Sequence, residues 1–218
     1  MRAINKSSAP RELIEYASYP NAEYDGADFT SVKDRIRQSL LDEQGFLCAY
    51  CMKRIDKDSI TIEHWHCQAN YSQEQLDYAN MLGCCSGGSG TGESHCGVSK
   101  GNNDIKGNND IKFNPSCPGD HQRLRIHYLP DGNITSDDAD FNEQIDKILN
   151  LNIDKHKMNR MAVIISVKDA LSKRPGSRSK AELIQILNKW NSRNRSNQFQ
   201  EHCGVAVYYL EKKIRRSR

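Results

Sequence analysis

The sequence predicts an α+β fold, in which a short metal-binding module of strands and a helix is followed by a mainly helical, basic region. Six of the eight cysteines fall between positions 48 and 96, a stretch of short, turn-rich segments. From about position 138 onward, apolar residues recur with the period of an amphipathic helix. From position 168 onward, 13 Lys and Arg stand against 4 Asp and Glu, a net charge of +9. Because the whole chain carries only +3, the part before position 168 has a net negative charge. A polyanion would therefore bind to the C-terminal part.

The composition is that of a polar but globular protein. Of the 218 residues, 37% are hydrophobic and 27% are charged, a balance that permits a buried core and argues against a disordered chain. No apolar run approaches the roughly 18 residues that a membrane-spanning helix needs. The first residues also lack the apolar segment of a secretory signal, so we expect the protein to stay in the cytoplasm.

Three segments are predicted, and they differ in composition. The first combines an extended arm with a helix, the second holds most cysteines and a flexible glycine-rich loop, and the third is helical and basic. Their predicted bounds are 1–45, 46–137 and 138–218.

The predicted helix of the first segment has a start signal, an apolar face and a stop signal. The segment Phe29–Asp34 is predicted to start the helix, and Ser31 with Asp34 makes a variant of the capping box there. Gly45 predicts the end. The residues that share its apolar face are Val32, Ile36 and Leu40.

Four further helices are predicted in the last segment. Asp154 is predicted to cap one of them, and Ser179 with Glu182 forms a capping box that opens the next. The final stretch from Phe199 to Ile214 fits either a strand or a helix, and we favour a helix. The apolar faces predicted for this segment are Phe141, Ile145, Ile148 and Leu149, then Met158, Met161 and Ile165, then Leu183, Ile186, Leu187 and Trp190.

The cysteines predict a zinc site. Cys48 and Cys51 form a C-x2-C knuckle, a spacing that lets two thiolates bind one tetrahedral zinc ion. A second pair would come from Cys96 and one of the adjacent Cys84 and Cys85, because neighbouring side chains diverge. The preferred ligand set is Cys48, Cys51, Cys85 and Cys96, and the alternative is a group of buried thiols without metal.

A short strand lies between the two halves of this predicted site. Ile60 and Ile62 alternate with polar residues and predict a strand that ends at Glu63 and His64. Asn80 follows sixteen residues after His64.

These residues resemble the HNH endonuclease family, whose fold is a ββα-metal hairpin and helix. The resemblance extends to the HNH subunits of Septu (PtuB) and retron-associated anti-phage defence systems, and it runs from about residue 1 to 170. The segments that carry it are Gln44–Cys51, Ile62–Trp65, Asn80–Leu82, His95–Cys96, Lys100–Asn102, Asn114–Pro115, Asp131–Gly132 and Ile148–Asn152.

The resemblance implies metal-dependent hydrolysis of phosphodiester bonds in DNA, or in tRNA or other RNA. It implies that His64 is the general base, since imidazole titrates near neutral pH. Glu63 would supply a hard carboxylate oxygen to a catalytic Mg²⁺ or Mn²⁺, and Asn80 would brace the hairpin and orient the histidine. The zinc ion would be structural, because the module is too short for a core of its own.

The sequence departs from the family pattern at one position. Members often carry a His, Asn or Asp just after the cysteine that begins the metal-binding helix, and here that residue is Gly97. The second ligand of the catalytic ion is therefore open, with His95, Asn102, Asn103 and water as candidates.

The resemblance also implies partners. These are a companion ATPase of the ABC or SMC-like type (PtuA) and, in retrons, a reverse transcriptase with its multicopy single-stranded DNA. This sequence contains no Walker A pattern, so ATP-dependent control would come from another chain. We expect the helices beyond position 138 to bind the ATPase and the basic segment to bind nucleic acid. The nucleic-acid-binding residues predicted are Lys100, Arg174, Arg178 and Lys180.

Two other functions can be compared with this one. A non-catalytic zinc-knuckle subunit that binds nucleic acid would explain the cysteines and the basic tail, but it leaves Glu63, His64 and Asn80 unexplained. A zinc nucleobase deaminase requires a ligand followed two residues later by Glu, and a P-C-x2-C pair. Neither pattern is present.

Overall fold

The fold is seen in a computed structural model, which describes residues 1–88, 92–104, 110–173 and 176–217. Within these ranges the chain forms helices and two small antiparallel hairpins. The helices are α1 (Arg11–Ala17), α2 (Phe29–Gln44), α3 (Cys96–Asp104), α4 (Pro118–Leu124), α5 (Ala139–Lys147), α6 (Asp154–Ser172), α7 (Lys180–Asn191) and α8 (Cys203–Arg216). The strands are β1 (Ile60–His64), β2 (Met81–Cys85), β3 (Ile126–Tyr128) and β4 (Ile134–Ser136). None of the described helices combines the length and the apolar character that a membrane crossing requires.

Helix α2 has the predicted buried face and the predicted end. Its apolar stripe is buried, and Gly45 ends it in a left-handed conformation (φ 60°) that glycine adopts without strain. The predicted start segment is confirmed, but the predicted capping residue was wrong. The helix begins at Phe29 after Asp28, and Ser31 lies inside the first turn, where its hydroxyl faces the Asp28 carbonyl at 3.5 Å instead of capping.

The last residue of α2, Gln44, fixes the elements that follow. Its buried side-chain amide donates to the carbonyls of Leu47 (2.7 Å) and Gly83 (2.8 Å), and its Oε1 accepts from the Gly83 amide (2.7 Å). Because all three bonds are buried, each is costly to break. Gln44 therefore ties the helix to the cysteine knuckle on one side and to β2 on the other.

The hairpin of β1 and β2 presents the predicted catalytic residues. The strands pair in an antiparallel register with His64 opposite Met81 and Glu63 opposite Leu82. As predicted, β1 ends at His64. Helix α3 follows β2 and packs against it. The end of β1 is therefore next to β2 and close to α3.

Helix α6 buries a different face from the predicted one. Met158, Met161 and Ile165 are 68%, 37% and 53% exposed. The buried residues are His156, Arg160, Ile164 and Val167. Asp154 is the first residue of the helix, after Ile153, and it pairs with Lys157 (2.9 Å) instead of capping the helix.

The C-terminal segment returns to the knuckle. The capping box of Ser179 and Glu182 opens α7 as predicted, and the final segment is a helix, α8, as favoured. At the start of α8, His202 donates its amide to the Met52 carbonyl (3.0 Å), and its ring lies 3.0 Å from the Cys51 carbonyl. One cluster of buried apolar residues runs from Met1 to Leu210 through all three predicted segments.

Candidate active site and metal centre

Four cysteine side chains converge where the knuckle, β2 and α3 meet. Cys48 and Cys51 lie in the turn after α2, which the Cys48 amide closes by donating to the Lys53 carbonyl (2.9 Å). Cys85 is the last residue of β2 and Cys96 the first of α3. The four sulfur atoms lie within 4.8 Å of one another.

The geometry of this cluster fits one tetrahedral metal ion. Cys51 Sγ and Cys85 Sγ are 3.8 Å apart, and two thiolates bound at the usual Zn–S distance would be about 3.8 Å apart. All four thiols are free and buried, and soft thiolate ligands select zinc among the common divalent ions. The cluster could therefore bind a metal ion such as zinc. Cys84 is buried as well but is not a member of this group.

His64 is held in one orientation and one tautomer at the end of β1. Its Nε2 lies 2.9 Å from the Gln75 carbonyl, and because a carbonyl only accepts, Nε2 carries the proton and Nδ1 carries the lone pair. The ring meets that of Tyr24 edge to face at 4.7 Å. Burial lowers the pKa of His64 below its ordinary value, so the ring is neutral and able to accept a proton.

Glu63 forms a buried ion pair with Lys100. The Lys100 ammonium lies 3.0 Å from Glu63 Oε1 and donates to the His64 carbonyl (2.9 Å). The lysine side chain is 1% exposed and the glutamate side chain 13%. Lys100 thus lies inside the site and neutralises the carboxylate, and it is not a surface cation that nucleic acid could touch.

Gly97 lies directly against the Glu63 carboxylate. A Cβ at Gly97 would come within 2.7 Å of Glu63 Oε2. The carboxylate therefore occupies the space that a larger residue would need, which accounts for the missing side chain at this position.

Asn80 braces the end of the hairpin through the backbone of His66. Its Oδ1 accepts from the His66 amide (2.8 Å) and its Nδ2 donates to the His66 carbonyl (3.0 Å). Its own carbonyl accepts from the Trp65 amide (2.9 Å). Asn80 thereby fixes the chain just beyond His64, and these side-chain bonds go to backbone atoms and not to the imidazole.

The three protein candidates for a second ligand beside Glu63 differ in their surroundings. His95 is at the cysteine cluster, 3.3 Å from Cys96 Sγ. Asn103 donates to the Ser99 carbonyl (2.8 Å), and Asn102 is exposed. Among the described residues, Glu63 belongs to no group of three or more His, Cys, Asp or Glu ligands. A divalent ion at Glu63 would need water or substrate oxygens, which is how Mg²⁺ is commonly held.

The predicted nucleic-acid-binding residues that the structure describes differ in exposure: Lys100 is buried, Arg178 is half-buried and Lys180 is exposed. Arg178 is half-buried, with Nε 3.0 Å from the Leu171 carbonyl at the end of α6 and Nη1 3.8 Å from Glu182. Lys180 is exposed at the start of α7. Arg174 lies outside the described residues.

A groove between α6 and α8 brings the predicted Arg178 together with four cations that the sequence analysis did not select. Its volume is about 700 Å³, and its described lining contains no Asp or Glu. Its aromatic side chains are Tyr128, Tyr208 and Tyr209, and its cations are Lys168, Arg178, Lys212, Lys213 and Arg216.

Comparisons with known proteins support a nuclease. No protein-family model matches the chain. A curated protein of Escherichia coli named "Retron Ec83 putative HNH endonuclease" is 30% identical to this chain over 106 residues. The match covers 43% of this chain and 40% of that protein, so the chain spans less than half of its relative. The similarity supports an HNH-type nuclease in a retron context.

Proposed function

We propose that this chain is a metal-dependent HNH endonuclease that hydrolyses phosphodiester bonds in nucleic acid. The observation that carries the proposal is the end of β1, where a histidine with a fixed tautomer adjoins a carboxylate under helix α3. A non-catalytic binding subunit would have no need of this buried arrangement. The retron-associated relative supports the same reaction.

His64 is the general base in this proposal. Because Nε2 donates its proton in a hydrogen bond to the Gln75 carbonyl, Nδ1 is the atom that accepts the proton of the attacking water. Asn80 keeps the chain beyond His64 in place through its two bonds to the His66 backbone, so its role is positioning.

Glu63 is the proposed ligand of Mg²⁺ or Mn²⁺. When bound, such an ion neutralises charge on the phosphate and on the leaving oxygen. Glu63 would hold the ion with its carboxylate, and phosphate oxygens of the substrate and water would be the other ligands. Lys100 orients the carboxylate through its 3.0 Å contact. The ion at the four cysteines, Cys48, Cys51, Cys85 and Cys96, is zinc in this proposal and is structural.

The groove between α6 and α8 is the proposed path for nucleic acid. Lys168, Lys213 and Arg216 are exposed there, and none of them pairs with a carboxylate in the described ranges. Unpaired cations beside tyrosine rings suit phosphates and stacked bases. Lys180 and Arg174 remain proposed contacts with nucleic acid.

We further propose that the nuclease is the effector of a retron-type or Septu-type anti-phage defence complex. The retron name of the relative and the resemblance of the sequence motifs support this context. A companion ATPase of the ABC or SMC-like type is the proposed partner. The exposed stripe of Met158, Met161 and Ile165 on α6 is the surface that we assign to it.

A His64→Ala variant tests the catalytic proposal. We expect cleavage to fall by about 10²–10⁴-fold, as is typical for loss of a general base. Plasmid DNA, single-stranded DNA and total tRNA should each be assayed with increasing Mg²⁺ or Mn²⁺. His121→Ala is the matched control, because His121 also bonds a backbone carbonyl (Pro115, 3.0 Å) but belongs to α4 and not to the β1–β2 hairpin.

Two results would contradict the proposal. Cleavage retained by a folded His64→Ala protein would exclude the HNH mechanism. A wild-type protein that binds these substrates but cleaves none of them in either metal would support the binding-subunit alternative.

A further inference from the structure

A second group of metal-binding side chains adjoins the four cysteines. A ring nitrogen of His95, a ring nitrogen of His156 and the sulfur of Cys96 lie within 4.8 Å of one another. All three residues are buried. Cys96 belongs to both groups, so one thiolate links them.

His156 is unusual because it is buried without a partner. It is 2% exposed, and neither of its ring nitrogens has a hydrogen-bond partner among the described residues. Buried polar groups are nearly always satisfied, and one that is not calls for an explanation such as an ion. Its neighbour is the ring of His95, edge to face at 4.4 Å.

The distances around His95 suit a shared ion. Its Nδ1 lies 3.3 Å from Cys96 Sγ, while nitrogen and sulfur bound to one zinc ion at the usual lengths are about 3.5 Å apart. Cys85 Sγ lies 3.9 Å from the same nitrogen and is a further donor on that side.

The charge of the site favours an additional cation. Four thiolates around one divalent ion leave two negative charges in a buried place, where uncompensated charge is costly. Arg160 is 3% exposed and interacts electrostatically with Cys51 and Cys96, which offsets part of this charge. A second divalent ion would offset the rest.

We propose that a second zinc ion binds His95, His156 and Cys96, and that the Cys96 thiolate bridges it to the ion held by the four cysteines. Imidazole and thiolate are the ligands zinc prefers. The two ions would then form one binuclear centre, in which α6 is tied to α3 through metal. Arg160 and His156 both belong to α6, so this helix would close the site.

Zinc content of the full chain tests the proposal, without any assay of cleavage. We expect about two zinc ions per wild-type chain and about one in His156→Leu, because the cysteine site keeps its own four ligands. His121→Leu is the control and should keep both. If His156→Leu does not fold, His156→Gln removes the same ligand while keeping a polar side chain.

Thermal unfolding gives a second, independent readout. If a zinc ion binds His156, His156→Leu should lower the melting temperature in zinc-saturated buffer. If His156 is only a buried, unpartnered ring, the apolar replacement should leave the melting temperature unchanged or raise it. One zinc ion per wild-type chain, or two in both wild type and His156→Leu, would overturn the proposal.

Discussion

The Glu63 carboxylate occupies the space in which a side chain at position 97 would lie. The position of this carboxylate therefore depends on position 97 being glycine. The carboxylate lies against the glycine backbone and is held there by Lys100. A side chain at position 97 would therefore displace the group that is proposed to bind the catalytic ion. In the proposed mechanism, Gly97 contributes by leaving room for the Glu63 carboxylate.

A Gly97→Ala substitution should separate activity from folding. The new Cβ would meet Glu63 Oε2 at 2.7 Å, a distance that forces the carboxylate to move. We expect cleavage to fall by about 10²-fold, since displacements near 1 Å have effects of that size. Zinc content should stay at the wild-type value.

Gly101→Ala is the matched control on the same helix. A Cβ at Gly101 would meet no atom within 4 Å, so alanine should keep full activity and add up to about 1 kcal/mol of helix stability. Equal activity of Gly97→Ala and Gly101→Ala, measured side by side, would show that the position of the Glu63 carboxylate does not matter.

At the residue scale, sequence reasoning was most effective where residues lie close together in the chain. The end of β1 at His64 follows from strand alternation. The divergence of adjacent side chains predicted that only one of Cys84 and Cys85 would join the cysteine group, and the structure places Cys85 there. The ion pair of Lys100 with Glu63 and the burial of His156 could not be predicted, because both depend on contacts between distant segments.

At the scale of elements, the cysteine cluster joins three pieces that have little core of their own. The knuckle, the end of β2 and the start of α3 each supply ligands, and the two strands have five residues each. A hairpin of this size is marginal alone. A bound metal ion would therefore contribute much of its stability.

Cys85→Ser should cause loss of the metal and unfolding of this region. Structural zinc contributes roughly 10 kcal/mol or more of apparent binding energy, which is comparable to the whole stability of a domain. We expect the purified variant to lack the zinc of the four-cysteine site and to be protease-sensitive between the knuckle and α3, as should the wild type after chelation.

Cys84→Ser is the adjacent control. Cys84 is buried but lies outside the ligand group, so the expected cost is that of a buried hydroxyl, about 1–3 kcal/mol, with metal retained. Metal loss in Cys84→Ser and metal retention in Cys85→Ser would show that the neighbouring cysteine is the ligand.

The helices illustrate where pattern reading succeeds and where it does not. The stop at Gly45 and the capping box at Ser179 are local signals, and both were confirmed. The buried face of α6 was predicted wrongly, because His156 and Arg160 face the protein while methionines face outward. Hydrophobic periodicity assigns polar residues to the surface, and it fails where buried polar groups serve a site.

At the scale of the whole molecule, the C-terminal segment has two faces with different tasks. The start of α8 bonds the knuckle through His202, which links the basic region to the cysteine site. The other face of α8 lines the groove with Lys212, Lys213 and Arg216. Removing this segment would therefore affect both the fold of the module and the proposed path of nucleic acid.

Salt dependence of binding tests that path with the fold left intact. Lys168 and Lys213 are exposed, line the groove from α6 and from α8, and pair with no described carboxylate. We expect the Lys168→Ala, Lys213→Ala double variant to bind DNA more weakly. Its plot of log affinity against log salt should be shallower by about 0.9 for each phosphate of duplex DNA that the variant no longer neutralises. The turnover rate at saturating substrate should not change, because neither residue touches Glu63 or His64.

A control of equal charge decides whether the groove or the overall charge is responsible. Lys57 and Lys155 are exposed and lie outside the groove lining, so a Lys57→Ala, Lys155→Ala variant loses the same two charges. General attraction of a polyanion would weaken in both variants alike, whereas phosphate binding in the groove would change the slope only when Lys168 and Lys213 are removed. Identical slopes for the two double variants would place the nucleic acid on another surface.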